Sequence, residues 1–573
     1  MSEDVVDDPS VPPPTDSTPL LGVRPKQPRH KNLRKLVKRN LRRIVLLSSL
    51  LATLVFLLWL IPRLVKPTEP DEYERQRDKQ WVDSSPYWID RQLCRWLSLC
   101  GIMHIRWDAP ALGDDAGDLA VEMLKLLALG LSAQRGMTYK DGEEEAWETA
   151  PMDHEGGRIK GLGTGSGKIL EDVPDFVLQH APLVHLYSEE NFWPSDMREH
   201  LRHLSAFEGG GEINMSAPLS LEHLGELNRH KGIVFLESED DVERRPEWLH
   251  SRVGIPQAFG KDELEDVEPP ADEKEPSRGG RTWWDADKKH PPQMITDPGE
   301  RRGKDRRPHQ KRSAESRLPI EDYERASEDG KPTPGGYSTG PAVLILVDKG
   351  SGILDAFWFF FYSYNLGQTV LNIRFGNHVG DWEHCMIRYD HGVPRAMFLS
   401  EHAGGKAYAW KAMEKKRVNG SEFERPVIYS AVGSHAMYAL PGWHPYVLPF
   451  KMLKDITDEG PLWDPAQNHL AYWYDYEAGN EEVAGPQDRE PTSLEPAASN
   501  PGAPVSWFHY KGFWGDDIYP LSDRRQWRLF GEYHYIVGPL GPKFKFLERR
   551  KVCQTEKCTI VDSIAAGEKS AWY

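Results

Sequence analysis

Positive charge is in short supply. Lys and Arg number 71 against 88 Asp and Glu, a net charge of −17 over 573 residues, and a chain without a basic footprint is not a general nucleic-acid binder. Cysteine is scarce, with five in all. Cys94 with Cys100, and Cys553 with Cys558, are spaced for local disulfides in an oxidising compartment. Spacing alone fixes no pairing, and Cys385 is then the odd one out. Neither Ser400 nor Ser434 sits in a G-x-S-x-G elbow, which argues against an α/β-hydrolase nucleophile at either. Long apolar runs are missing too, with one exception.

That exception is "IVLLSSLLATLVFLLWLI", residues 44–61. As a helix, eighteen uncharged residues span about 27 Å, close to the thickness of a bilayer's hydrocarbon core. The run lies far from Met1 and no small-residue cleavage site follows it, so it reads as a signal anchor (44–65) and not a removable signal peptide. Basic residues crowd Arg24–Arg43 without acids, while Glu69, Asp71, Glu72 and Glu74 follow the run. The positive-inside rule then makes 1–43 a cytosolic tail and puts the C-terminal part in a lumen, a single-pass type II arrangement in the endomembrane system. Asn214 and Asn419 head glycosylation tripeptides on that lumenal side. The tail, disordered by composition, holds "DSTPLL", in which Asp16, Leu20 and Leu21 have the form of an acidic dileucine signal for a sorting adaptor.

Residues 66–257 read as a lumenal part with helices, at 118–135, 194–204 and 217–230, and a strand at 232–238. Residues 258–340 are charged and rich in Pro and Gly, a disordered insertion. The remainder, 341–573, is strand-rich: "PAVLILVDKG", "AFWFFFYSYN", "HCMIRYD", "RAMFLSEH", "PVIYSAVGSHAMY" and "YHYIVGPLG". Strands without long helical periods between them predict a mainly β fold, an antiparallel β-sandwich with peripheral helices behind one transmembrane helix.

The chemistry gathers in "FGNHVGDWEH", residues 375–384. Asp381 and Glu383 are two apart on a strand and share a face, with Trp382 and His384 on the other. His378 sits in a turn bounded by Gly376 and Gly380 that can fold its ring toward the carboxylates. One imidazole and two carboxylates suit Mg²⁺, Ca²⁺ or Mn²⁺, with Zn²⁺ also compatible. The competing reading is a hydrogen-bonded turn with no ion. Ser/His turns at Ser400/His402 and Ser434/His435 join the same mouth if neighbouring strands bring them there. "DITDEGPLWDP" adds Asp455, Asp458, Glu459 and Asp464, either a second cation site or a solvated loop.

"YSYNLGQ", "FGNHVGDWEHCMIRY", "FLSEHAGG", "RPVIYSAVGSHAMYALPG" and "LWDP", with the upstream "VPDFVLQHAPLVHLYSEENFWPSDM", resemble the fungal vacuolar protein sorting-associated protein 62 family. The resemblance covers roughly 170–240 and 341–550, so those two stretches are expected to pack together, and it implies a part in delivering proteins to the vacuole. His378-Val379-Gly380-Asp381-Trp382-Glu383 is also similar to the His-x-x-Asp-Trp-Glu core of necrosis- and ethylene-inducing-like toxins. Those are β-sandwich proteins whose histidine and carboxylates surround a divalent cation that helps bind sphingolipid sugar headgroups. That likeness implies His378, Asp381 and Glu383 as metal ligands, with Asn365 the nearest counterpart of a further toxin aspartate. Gly380 replaces the toxins' second motif histidine.

Three functions follow as expectations. The first is a membrane glycoprotein of vacuolar sorting whose cation site binds a lipid headgroup or glycan, with Trp443, Tyr446 and Trp463 as stacking surfaces. The second is a metal-dependent hydrolase of an ester or phosphoester with His435 or His402 as acid/base. The third is a scaffold without a bound ion.

Overall fold

The strand Ile353–Asn365 has thirteen residues, and all thirteen are buried. A strand points its side chains alternately to two faces, so both faces of its sheet must be covered. The computed structural model shows how. It describes residues 45–50, 52, 53, 56, 72–108, 147–150, 170–267, 334–370, 372–446, 453–476, 493–529, 531–555 and 558–564.

The aromatic strand Ile353–Asn365 lies inside an eight-stranded sheet. In order this runs Leu494–Pro496, His469–Tyr474, Ala342–Asp348, Ile353–Asn365, His378–Asp390, Val393–Glu401, Gly404–Ala409 and Ile560–Val561. One face packs on a second sheet built from Leu462–Trp463, Leu183–His185, Arg425–Ser430, Lys415–Val418 and Leu264–Asp266. Trp358, Phe360, Tyr362, Cys385 and Leu399 from the first sheet meet Val184, Ile428, Met437 and Trp463 between the two layers. The opposite face carries Phe357, Phe359, Phe361 and Trp382. It is covered by the small sheet of Leu204–Glu208 and Val234–Ser238, the helix Met197–Leu201, and Trp507 and Trp514. The fold is therefore mainly β and sandwich-like, with a third layer on the outer face. Segments 170–240 and 341–550 share both cores.

Three details differ from the sequence reading. The sheets are not wholly antiparallel. His469–Tyr474 runs parallel to Ala342–Asp348, Gly404–Ala409 to Ile560–Val561, and Arg425–Ser430 to Leu183–His185. Each of these pairs is far apart in sequence, so no tight hairpin dictates its direction. "YHYIVGPLG" is a strand only over Glu532–Tyr533, and beyond that it makes isolated bridges at Tyr535 and Leu540. The insertion is also narrower than 258–340. Leu264–Asp266 pairs with Lys415–Val418, and Gln257 N–H donates to Tyr337 O at 2.8 Å while Gly336 N–H donates to Gln257 O at 2.7 Å. The chain thus leaves and re-enters through a hydrogen-bonded neck.

Residues 1–61 and 62–573 form two separate units. In the first, Val45–Leu50, Ala52, Thr53 and Phe56 are helical. Among the described residues no helix is long and apolar enough to cross a membrane, and much of the 44–65 anchor lies outside them. So do the dileucine residues Asp16, Leu20 and Leu21, the 118–135 helix and the centre of the insertion. Cys94–Cys100 and Cys553–Cys558 are disulfides, and Cys385 is a buried free thiol. Asn214 and Asn419 are both exposed.

Candidate functional site

The site strand His378–Asp390 lies between Ile353–Asn365 and Val393–Glu401. Its register sets Asp381 opposite Tyr362 and Glu383 opposite Phe360. Both carboxyl groups therefore face the interior between the sheets, while Trp382 points into the other core against Phe361 and Trp514. Gly380 makes this possible. It has φ +69°, and a Cβ there would lie 2.3 Å from Trp514 O, so any side chain would push the strand off its neighbour.

The second sheet supplies the lid of this patch. Between Arg425–Ser430 and Met437–Tyr438 a tight turn is closed by Ala431 N–H donating to Ala436 O and His435 N–H to Ala431 O, both at 2.9 Å. Gly433 at its tip has φ +71° and leaves only 2.5 Å between a hypothetical Cβ and Leu366 O. The turn thus presses His435 flat on the Tyr362 ring, centroids 3.7 Å apart and planes nearly parallel. His435 Nδ1 lies 2.9 Å from Asp381 Oδ2 and Nε2 lies 3.1 Å from Phe192 O. The ring is thus held at both nitrogens by oxygen partners. Glu190 Oε2, 3.9 Å from Nε2, adds a further negative charge. It is held by Gly433 N–H at 2.8 Å, while Glu190 Oε1 accepts from Phe192 N–H at 2.9 Å.

A second network runs alongside. Asp455, fully buried, accepts from Ser434 Oγ at 2.7 Å, Tyr438 OH at 2.7 Å and His402 Nε2 at 2.6 Å. Burial alone would raise its pKa, but His402 and these hydrogen bonds hold it below the usual carboxylate range. Burial alone would likewise lower His402, and Asp455 overrides it, lifting the imidazole to about 9. Asp458 accepts from Ser188, and Asp464 pairs with Arg425. Asp455, Asp458 and Asp464 are thus engaged in the fold, which corrects the solvated-loop reading for these three, while Glu459 is exposed. Trp463 is wholly buried, whereas Trp443 is exposed beneath Lys454 Nζ, 3.8 Å from its ring centre. The side chain of Tyr446 lies outside the described residues.

Glu383 links the two networks electrostatically. Burial first, then the nearby Asp381 carboxylate, push its pKa to about 8, and Ser400 Oγ donates to it. Folding raises this group above its ordinary value, so the folded state holds a proton the unfolded chain releases. Stability from this group is greatest in acid and falls as pH rises toward 8, by at most about 1.4 kcal/mol per pH unit. Glu383→Gln should remove that slope. Between pH 6 and 8 the variant is expected to gain about 2 kcal/mol on the native chain in urea titrations. Parallel curves for the two proteins would show that Glu383 ionises normally.

The proposed metal ligands fit a cation in chemistry and not in arrangement. His378 Nδ1 lies 2.6 Å from Gly380 O, which fixes the proton on Nδ1 and leaves Nε2 as the lone-pair nitrogen. Burial lowers its pKa and favours that neutral form. Asp381, however, is already bonded to His435 and Glu383 to Ser400. Asn365 turns its amide away, Nδ2 donating to Gly376 O at 2.8 Å. Among the described residues no group of three or more His, Cys, Asp or Glu side chains is gathered to hold a metal ion. The serines do not pair with histidine as nucleophiles either, since Ser434 donates to Asp455 and Ser400 to Glu383.

Glu190 and Tyr362 were not singled out from sequence. Glu190 lies 243 positions from Gly433, and no local spacing signals such a partner. The only hint was the pair of acids in the otherwise aromatic "YSEENFW".

A three-layer, mainly β sandwich with a buried histidine–carboxylate patch between its sheets defines the structural class. The family model described as "Vacuolar protein sorting-associated protein 62" matches residues 350–447, from the aromatic strand through the His435 turn. The "Putative vacuolar protein sorting-associated protein TDA6" of Saccharomyces cerevisiae is 31% identical over 410 residues, 67% of this chain and 68% of the relative. "Vacuolar protein sorting-associated protein 62" of the same yeast is 30% identical over 412 residues, with the same shares covered. No solved structure matches. The chain belongs to the vacuolar protein sorting-associated protein 62 family.

Proposed function

We propose that this chain acts in sorting proteins to the vacuole, as a single-pass endomembrane glycoprotein whose lumenal sandwich binds a polar ligand, a lipid headgroup or glycan. Kinship with two yeast proteins named for vacuolar protein sorting carries the reading. The apolar run at 44–61 with its charge asymmetry, the disulfides Cys94–Cys100 and Cys553–Cys558, and the exposed Asn214 and Asn419 support the lumenal assignment. Asp16, Leu20 and Leu21 would engage the adaptor. In yeast cells lacking both relatives, the chain is expected to restore delivery of a vacuolar hydrolase, and Asp381→Asn to fail while still reaching the same membranes. Full rescue by Asp381→Asn would separate the patch from sorting, and no rescue by the native chain would sink the assignment.

A cation-dependent ligand site is the second reading, favoured by the neutral His378 and the shared face of Asp381 and Glu383. Such an ion would be held by His378, Asp381 and Glu383 and would supply positive charge toward a polar ligand. Elemental analysis of the purified full chain beside Asp381→Ala tests it. One equivalent of divalent metal, lost in the variant, is the expected result. Absence of metal from both, after incubation with Mg²⁺, Ca²⁺, Mn²⁺ and Zn²⁺, would retire the ion and leave the proton-bearing patch.

A further inference from the structure

Among the described residues four tryptophans are exposed, and three of them, Trp88, Trp96 and Trp107, fall within twenty positions of one another. Trp88 and Trp96 lie on the helix Trp88–Leu97. Successive helical residues are about 100° apart, so Trp88, Gln92, Trp96 and Ile89 occupy one arc of the helix and Asp90 and Cys94 the opposite one. The inner arc is fixed in place. Asp90 accepts from Ser85 Oγ at 2.9 Å and Gly101 N–H at 2.8 Å, and Cys94 is bonded to Cys100 beside Trp81 and Leu521. The outer arc inverts the usual rule of a surface helix. Trp96 is 74% exposed and Trp88 66%, where charged residues would ordinarily face water. Tyr87 stands against His104, ring centroids 6.5 Å apart, which brings the neighbouring exposed Met103 up to the start of the helix.

We propose that this face, formed by Tyr87, Trp88, Ile89 and Trp96 and continued by Met103, is seated in the interfacial layer of a lipid bilayer. Two features select lipid over a protein partner. Trp and Tyr rings, apolar in body and polar at one edge, are the side chains that favour the headgroup level of membranes. The chain also supplies the membrane close by. Only residues 62–71 separate the apolar run from the helix starting at Glu72, and ten residues reach at most about 35 Å. The inference thus rests on the anchor reading for its membrane, and adds a second, rigid point of contact. Two contacts would restrict the tilt of the lumenal unit, where a single tether leaves it free.

The test uses the full chain in phosphatidylcholine vesicles, with a nitroxide on Gln92→Cys, between the two tryptophans. Cys385 is buried and the other four cysteines are disulfide-bonded, so the label is specific. The label is expected about 5–10 Å below the headgroup boundary by oxygen and nickel accessibility, and to return to water when Trp88 and Trp96 become serine. A label at Asn214→Cys is expected to stay aqueous throughout. An unchanged melting temperature in the serine variant excludes misfolding as the cause. If the chain floats with the vesicles while the Gln92 label is in water, the interfacial face is overturned and the anchor stands. If the chain does not float, the anchor reading fails, and a water-exposed label with added vesicles then overturns the interfacial face as well.

Discussion

Asp355→Ala is expected to destabilise the folded chain by about 3–5 kcal/mol, because it leaves a buried guanidinium without its counter-charge. Asp355 and Arg388 face each other across the aromatic strand and the site strand. Two parallel hydrogen bonds of 2.7 Å join them, and neither side chain has any exposed surface. Arg388 also donates to Trp147 O at 3.3 Å, Glu148 O at 3.1 Å and Arg550 O at 2.7 Å. Lys349 and Arg549 lie near the same carboxylate. Burial lowers Lys349 to about 8 and Arg549 to about 9, with Asp355 opposing both shifts. Without Asp355, three cations would share one interior region. Asp355→Leu combined with Arg388→Met should cost less, since the guanidinium leaves with its partner and only Lys349 and Arg549, already lowered by burial, remain. Urea titration of the three proteins decides it. Equal losses in the single and double variants would show that shape, and not charge, matters at this position.

Trp382→Ala should cost a similar amount, about 3–5 kcal/mol, through the cavity it leaves. Its ring lies 4.7 Å from Phe361, 5.5 Å and perpendicular from Trp514, and 6.0 Å and near-parallel from Trp507. Those contacts join the central sheet to the outer layer. Trp382→Phe keeps most of the apolar area and is expected to lose much less. Because Asp381 and Glu383 flank Trp382 in the chain, the Ala variant should also loosen the contact of His435 Nδ1 with Asp381 Oδ2, read as a changed chemical shift of the His435 ring protons. A melting temperature unmoved by Trp382→Ala would refute the packing argument.

Much of the architecture was legible because buried strands announce themselves. "AFWFFFYSYN" is apolar on both alternating faces, and the structure covers both. The alternation around Asp381, Trp382 and Glu383 likewise follows from the two-residue period of a strand. What was not legible is what the second sheet brings. Nothing local in "YSEENFW" says that Glu190 meets Gly433, nor does "DITDEG" say that Asp455 is surrounded by His402, Ser434 and Tyr438. Carboxylates spaced along a polar stretch look solvated until a distant histidine and two hydroxyls are placed against them. The parallel strand pairings escaped for the same reason, since their partners are set by the global path of the chain.

The neck formed by Gln257, Gly336 and Tyr337 has an evolutionary consequence. The ends of the segment are tied to the fold, at Leu264–Asp266 on one side and at Gly336 and Tyr337 on the other, so the sheets set no length for the chain between them. Closing a longer excursion costs only about 0.6 kcal/mol per doubling. Lineages are therefore free to lengthen, trim or exchange this segment at little thermodynamic cost.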